Sequence, residues 1–528
     1  MPTILDRIKW PPARILFGLT LLAYFNAFAN GFVLDDWAFI HDPGNLADLP
    51  VWDILSKSYH GFYRPFAFLI LRTCVAIFGA APVLYHLVNF TLYNVACYLV
   101  YRIVRTLAAS EQAALITAVL YAVHPLHHPL VSNCFTLCLN VYLLSGLGSV
   151  WFFIRHLDKA GRKDAVLSTA LFAAALLSHL SAIALPLVMI VIARYRIKMT
   201  IPTLIRHLWP YVLVVVAVAA VRLTAPGTRS LMSLLQANLS LPQYMAVLWD
   251  LLCWYHTQLL LPARTIFLWD QPLDTPHVWL KSFNLVVTMI GLVYLLNVRW
   301  RNTEKGLWLA IHCSGLLPLT VAAFIYSPRT GTAIIEPLWF VLSSIGFYAL
   351  AAGGLLSLKG RIPARSFSGL VVGLTLALTF LTLGHNAKWH DERTYTRYWV
   401  AVNPLNSVPW KRWALTYLRT GETVSLMENL GGTDDQLRRR AHPLAWINRG
   451  HAYHLADRCT EAISDYTRAL SLRPDHVDAL LSRANCYAAI GNYTEARSDL
   501  SRILSENPDQ AAALEDLAWL NAHTQSSD

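Results

Sequence analysis

Between residues 14 and 384 the sequence is built from long apolar segments. They lie near 14–30, 82–101, 112–125, 131–154, 165–178, 181–193, 208–223, 282–298, 306–325, 337–357 and 367–384. About 20 apolar residues carry a helix across the ~30 Å hydrocarbon core of a bilayer. Inside that core the backbone has to satisfy its own hydrogen bonds, which leaves packed helices as the fold for such segments. Composition agrees: 55% of the 528 residues are apolar or aromatic and only 14% are charged, against about 25% charged in a typical soluble domain. A soluble enzyme, a disordered chain and a small disulfide scaffold are excluded.

The net charge of +11 does not point to nucleic acid, because the basic residues fall in short clusters between apolar segments. These are Arg102 and Arg105; Arg155, Lys159, Arg162 and Lys163; Arg194, Arg196 and Lys198; Arg299, Arg301 and Lys305; and Lys359, Arg361 and Arg365. The first segment follows Arg7 and Lys9 and offers no small-residue cleavage site, so it reads as a retained signal anchor with its N-terminus inside. All five clusters then belong on the cytoplasmic side. Residues 64–78 carry Arg72 in their middle and are placed along the outer interface. Residues 243–261 lie flat or re-enter, since a full crossing would put the later clusters outside. About eleven crossings remain, and their parity puts the C-terminal part outside the cytoplasm.

Composition changes near residue 385, predicting a membrane domain over 1–384 and a second, polar helical domain over 385–528. In the latter, Pro474 and Pro508 stand 34 residues apart, the period of the tetratricopeptide repeat (TPR). Trp446, Gly450, Tyr453, Ala462, Tyr466 and Ala469 fit one repeat; Leu480, Ala484, Tyr487, Ala496 and Leu500 fit the next. Residues 404–430 read as a degenerate preceding repeat and 511–522 as a capping helix. The fold class is therefore all-α, a helical membrane domain followed by a TPR solenoid, and such arrays usually present a groove to a peptide or protein. Cys459 and Cys486 fall on neighbouring helices of the array, as buried thiols or, in an oxidising compartment, as a disulfide. Cys134 and Cys138 are four apart without further ligands nearby, which argues against a metal site there.

Asp35-Asp36 follows the first membrane helix. Two carboxylates at an outer membrane boundary suit a general base and its orienting partner, as removal of a proton from a hydroxyl acceptor requires. On the expected topology Arg64, His124 and His127 lie on the same side. A guanidinium fork there suits phosphate oxygens, and the imidazoles suit a leaving phosphate. Arg329 and Glu336 are further candidates for phosphate and sugar hydroxyls.

The order Asp35-Asp36, Tyr63-Arg64-Pro65, His86-Leu87-Val88-Asn89 and Ala122-Val123-His124-Pro125-Leu126-His127 resembles the transmembrane and TPR repeat-containing O-mannosyltransferases and their bacterial relatives, within the GT-C class of glycosyltransferases. Ile335-Glu336-Pro337-Leu338-Trp339-Phe340 is similar to a motif of bacterial members. The resemblance implies transfer of a sugar from a polyprenyl-phosphate carrier to a hydroxyl on the non-cytoplasmic face, by one inverting displacement, with the catalytic acid in the Asp35-Asp36 pair: Asp35 as base and Asp36 supporting it, or the reverse order. The acceptor is a protein Ser/Thr or a surface glycan, and the TPR domain recruits the acceptor or another protein partner. Bacterial inner membrane is the expected location, with the endoplasmic reticulum as the alternative. No cofactor is implied with certainty; some GT-C enzymes use a divalent ion. The chain departs from the pattern at Pro129, where the family often has an acid, and at Ser178-His179-Leu180-Ser181, where it often has Ser-Lys-Glu-Ser. A non-catalytic membrane-anchored TPR scaffold is the alternative function.

Overall fold

A computed structural model of the chain describes residues 10–226, 240–262, 269–272, 303–318, 332–335 and 337–524, apart from the single positions 43, 61, 109, 199 and 441. Its contacts divide it into two compact units, Met1–Asp391 and Glu392–Asp528. Among the described residues the architecture is helical, with one small addition. Trp269–Pro272 and Thr332–Ile335 form a two-stranded antiparallel ribbon, with Trp269 opposite Ile335. The division falls a few residues beyond the change in composition. Residues 386–390 follow the apolar stretch, yet Asn386 Nδ2 donates to Ala23 O, Trp389 Nε1 donates to His128 Nε2, and Gly31 N donates to His390 O.

Among the described residues of the first unit, seven helices are long and apolar enough to cross a membrane, and an eighth candidate is the pair Glu111–Val123 and Pro125–Ser132, bent by 53°. Segment 282–298 lies outside the described residues. Segment 165–178 is the 15-residue helix Arg162–Leu176, bound to Leu137–Lys159 by reciprocal Ser149 and Ser168 hydrogen bonds. Pro65–Phe78 is a short apolar helix. Proline opens several of these helices, at Pro12, Pro65, Pro82 and Pro202, where its missing N–H costs nothing. Trp209, Val212, Leu213 and Val216 of Ile201–Thr224 are exposed, as expected for a helix surrounded by lipid. Where helices touch backbone to backbone the residue is glycine: a Cβ on Gly346 would meet Trp308 O at 2.4 Å.

Basic turns that are far apart in sequence converge at one end of this unit. Arg196 pairs with Asp158 at 2.7 Å and donates to Thr106 O, and Lys359 donates to Gln112 Oε1. Four of the basic clusters are thereby gathered at one end. The opposite end of the 27-residue helix Pro82–Ala108, about 40 Å away, carries His86 and the acidic loop.

In the second unit, Pro443–Leu455 and Cys459–Leu472 form one repeat, Val477–Ala489 and Tyr493–Glu506 the next, and Ala511–Thr524 the cap. Ser407–Leu418 and Thr423–Gly431 precede them as a helix pair. Gly450 has no room for a side chain, because a Cβ would lie 2.6 Å from the Tyr466 ring. Each repeat also contains the same bidentate ion pair. Arg449 donates to both oxygens of Asp465 at 2.8 and 2.7 Å, and Arg483, 34 positions on, does so to Asp499 at the same distances. Arg449 is the more deeply buried, at 5% side-chain exposure against 17%. Removing one member of a buried pair strands the other charge, at a cost of about 3–5 kcal/mol. Arg449→Ala is therefore expected to destabilise the repeat unit by about that amount and Arg483→Ala by clearly less. The order of their urea midpoints in the intact protein checks this.

Candidate active site

The acidic loop starts where the first helix, Pro12–Tyr24, tightens into the 3-10 turn Phe25–Ala29. Leu34 then adopts a left-handed backbone, φ 58°, a conformation that costs a non-glycine residue about 1 kcal/mol or more. The wide turn Trp37–His41 follows, with Asp42 N donating to Trp37 O. This pair of irregular turns holds Asp35 half-buried and Asp36 fully buried.

Asp36 is a hub. Its Oδ2 accepts from Val33 N at 2.9 Å, Asn133 Nδ2 at 3.1 Å and Cys134 N at 3.4 Å, and its Oδ1 accepts from Phe135 N at 2.7 Å. One carboxylate therefore ties the loop after the first helix to the loop before Leu137–Lys159. Burial pushes the Asp36 carboxyl up to about 8, against the pull of the Val33, Phe135 and Cys134 amides, and the charge of Asp35 adds to the rise. Two adjacent acids are thus placed in different environments, one enclosed and the other partly exposed.

The His-Leu-Val-Asn motif supports the same loop from below. His86 Nδ1 lies 2.7 Å from Val131 O and its Nε2 3.1 Å from Asn30 O. Asn89 Nδ2 donates to Asn133 O, and Asn140 Nδ2 to both Asn89 Oδ1 and Leu130 O. Asn133 and Asn140, which sequence reasoning missed, are polar residues inside the apolar stretch 131–154. That interruption was their only signal.

Arg64 precedes the helix Pro65–Phe78. Its guanidinium sits 4.5 Å from the Phe62 ring centre and 5.9 Å from that of Phe135, the residue whose amide holds Asp36. Burial lowers the His179 imidazole well below its usual range, and the charges of Arg64 and then Arg222 lower it further. The structure thus gathers Arg64, His179 and Arg222 into one basic region. His179 stands at the departure from the Ser-Lys-Glu-Ser pattern, and Arg222 lies in the last turn of Ile201–Thr224.

His124 and His127 are placed in the interior, not on an open outer face. Leu126 N donates to His124 Nδ1, which leaves Nε2 to donate to Leu259 O at 3.1 Å. His127 Nδ1 is 2.8 Å from Tyr121 O, and its Nε2 is 3.2 Å from Ser344 Oγ. Both rings hold the break between Glu111–Val123 and Pro125–Ser132; a contact with a donor phosphate would require those bonds to exchange. The reason is local: Pro125 and Pro129 interrupt the helix, and the freed backbone groups recruit the nearest side chains. Arg329 and Glu336 lie outside the described residues.

Asp36→Asn would set an amide NH2 against the Phe135 N–H, and an unsatisfied buried donor costs about 1–3 kcal/mol. Its thermal midpoint is expected to fall, while Asp35→Asn stays within about 0.5 kcal/mol of wild type. The raised Asp36 carboxyl also sets a pH dependence. Between the ordinary carboxylate value of 3.8 and about 8 the folded state holds a proton that the unfolded state has released, so stability declines as pH rises through that window. Asp36→Asn is expected to remove this slope. Thermal unfolding in detergent across pH 4–8 reads both effects.

Residues 60–224 match the family described as dolichyl-phosphate-mannose-protein mannosyltransferase, and residues 454–520 match the tetratricopeptide repeat. Protein O-mannosyl-transferase Tmtc1 of Drosophila melanogaster is 33% identical over 126 residues, covering 22% of this chain and 15% of that protein. Protein O-mannosyl-transferase TMTC1 of Homo sapiens is 30% identical over 134 residues, covering 23% and 15%. TMTC3 of Mus musculus is 23% identical over 526 residues, covering 88% of this chain and 55% of that protein. The chain thus spans about half the length of the TMTC3 relative and much less of the others. With a mannosyltransferase-family match over 60–224 and a TPR match over 454–520, the chain is homologous to the TMTC protein O-mannosyl-transferases.

Proposed function

We propose that the chain is a membrane glycosyltransferase that moves a sugar from a polyprenyl-phosphate donor to a hydroxyl acceptor, a protein Ser/Thr or a surface glycan, on the periplasmic or luminal face. The observation that carries this reading is the pair Asp35-Asp36, in which one acid is locked by four N–H donors and the other is left half-open beside it. Asp35 takes the proton of the acceptor hydroxyl. The freed oxygen attacks the anomeric carbon from the face opposite the phosphate, the bond to the phosphate oxygen breaks, and the configuration inverts. Arg64 holds the departing phosphate through its fork of N–H groups. His124 and His127 keep the bent helix in place behind the site. Arg329 and Glu336 stay proposed as phosphate and sugar contacts.

The gathering of basic turns at the other end supports an orientation with the acids outside the cytoplasm, in a bacterial inner membrane or, alternatively, the endoplasmic reticulum. The repeat unit then recruits the acceptor or a partner on the same side. A non-catalytic scaffold is the competing reading, favoured by the tetratricopeptide match but offering no role for the half-open acid.

Purified protein in lipid, given a panel of polyprenyl-phosphate sugars and a periplasmic or luminal protein extract, tests the proposal. Wild type is expected to transfer from one donor class. Asp35→Asn is expected to lose roughly 10²–10⁴-fold in rate, and Arg64→Ala to raise the donor KM. Parallel reactions with chelator read any dependence on a divalent ion. Absence of transfer from every donor, together with a protein captured by the repeat unit, would move the assignment to the scaffold.

A further inference from the structure

The repeat unit contains a side-chain cluster that the repeat itself does not require. His454 lies in the last turn of Pro443–Leu455, Cys459 is the first residue of Cys459–Leu472, and Cys486 lies in Val477–Ala489. Three successive helices, spanning two repeats, each contribute one residue. One repeat period later, Ala488 and Tyr493 stand where His454 and Cys459 stand, and one period earlier Ala452 stands for Cys486. Nothing in the small-and-large packing of the array calls for a thiol or an imidazole at these places.

Nδ1 or Nε2 of His454 and the sulfurs of Cys459 and Cys486 all lie within 4.8 Å of one another. Both cysteines are unbridged. Cys486 is fully enclosed and Cys459 is 8% exposed. The left-handed turn at Asp457, φ 56°, folds the chain so that His454 and Cys459 face the same point. A tetrahedral zinc site has Zn–S near 2.3 Å and Zn–N near 2.0–2.1 Å, so its ligand atoms stand about 3.4–3.8 Å apart. Small side-chain rotations therefore close this triad around an ion. A solvent-open pocket of about 440 Å³, lined by Asp457, Cys459, Glu461 and Ile490, reaches the cluster. It gives solvent a path to the cluster at Cys459.

We infer that His454, Cys459 and Cys486 bind one thiophilic cation of the zinc class and thereby staple the first repeat to the second. The chemistry of the set selects the ion: two soft sulfurs and one imidazole suit Zn²⁺ over Mg²⁺ or Ca²⁺, which need oxygen ligands. Binding releases the two thiol protons to solvent and leaves two thiolates on the metal. In a solenoid this short, stability depends on interfaces between neighbouring repeats, and the staple acts at one of them. This inference is independent of the proposed transfer reaction.

The test uses the full-length chain in detergent, reduced, stripped of metal and desalted. Zn²⁺ is titrated against a chromophoric chelator, and Co²⁺ is added separately as a spectroscopic stand-in. Wild type is expected to bind one equivalent more than Cys486→Ser or Cys459→Ser, and its Co²⁺ form to show a thiolate-to-cobalt charge-transfer band that both variants lack. His454→Ala, at a half-buried position, keeps the fold and is expected to weaken zinc binding by at least about tenfold. Zn²⁺ should raise the melting temperature of wild type but not of the cysteine variants. Equal zinc stoichiometry in wild type and variants would overturn the inference. So would a Cys459–Cys486 disulfide that, once reduced, leaves thiols unable to take up zinc.

Discussion

A backbone that leaves the helix at the edge of hydrocarbon must find new partners for its N–H and C=O groups, and much of the first unit follows from how this chain meets that demand. Asp36 takes the amides of residues 33, 134 and 135, and Asn133 takes Val33 O. His86 faces Asn30 O and Val131 O, while Asn386 reaches Ala23 O. At this end the irregular segments 30–36 and 124–136 are held by side chains that arrive from helices and loops far apart in sequence. An unpaired group there would cost several kcal/mol, so these residues cannot vary independently of one another. The same lattice of bonds leaves Asp35 as the less enclosed acid.

Charge is sorted along the axis of that unit. The basic turns meet through Arg196, Asp158, Thr106, Lys359 and Gln112, and the acids sit beyond the far end of Pro82–Ala108. Orientation in a bilayer and placement of the acidic loop are consequently coupled: whichever side takes the basic end, Asp35 and Asp36 lie toward the other. At the acidic end a cation is held over the Phe62 and Phe135 rings, with a second arginine and a buried imidazole within electrostatic reach.

The repeat unit rests on different physics. Its helices pack in water, so burial of Trp, Tyr and Leu side chains drives association, and the Arg449–Asp465 and Arg483–Asp499 pairs fix how the helices of each repeat meet. The cysteine and histidine cluster breaks the repeat's own pattern, and for that reason it stands out.

Much of this was legible in the residues alone. Apolar length identified the membrane helices, the 34-residue spacing identified the repeat, and Asp35-Asp36 stood out through its place in the ordered set with Arg64 and the histidine motifs, since two adjacent acids alone read first as a solvated loop. Helix period and burial are local properties, so sequence carries them. What sequence could not carry was the use made of each polar atom. His124 and His127 looked available for a phosphate, yet their nitrogens serve Leu259 O, Tyr121 O and Ser344, partners as far as 217 positions away. Asn133, silent within an apolar run, holds the acid. Asp35 and Asp36 are neighbours in sequence, and only the loop that returns at residues 133–135 makes one of them a buried hub and leaves the other half-open. Hydrogen bonds of that range depend on which helices come to lie side by side, and that is decided by packing in three dimensions.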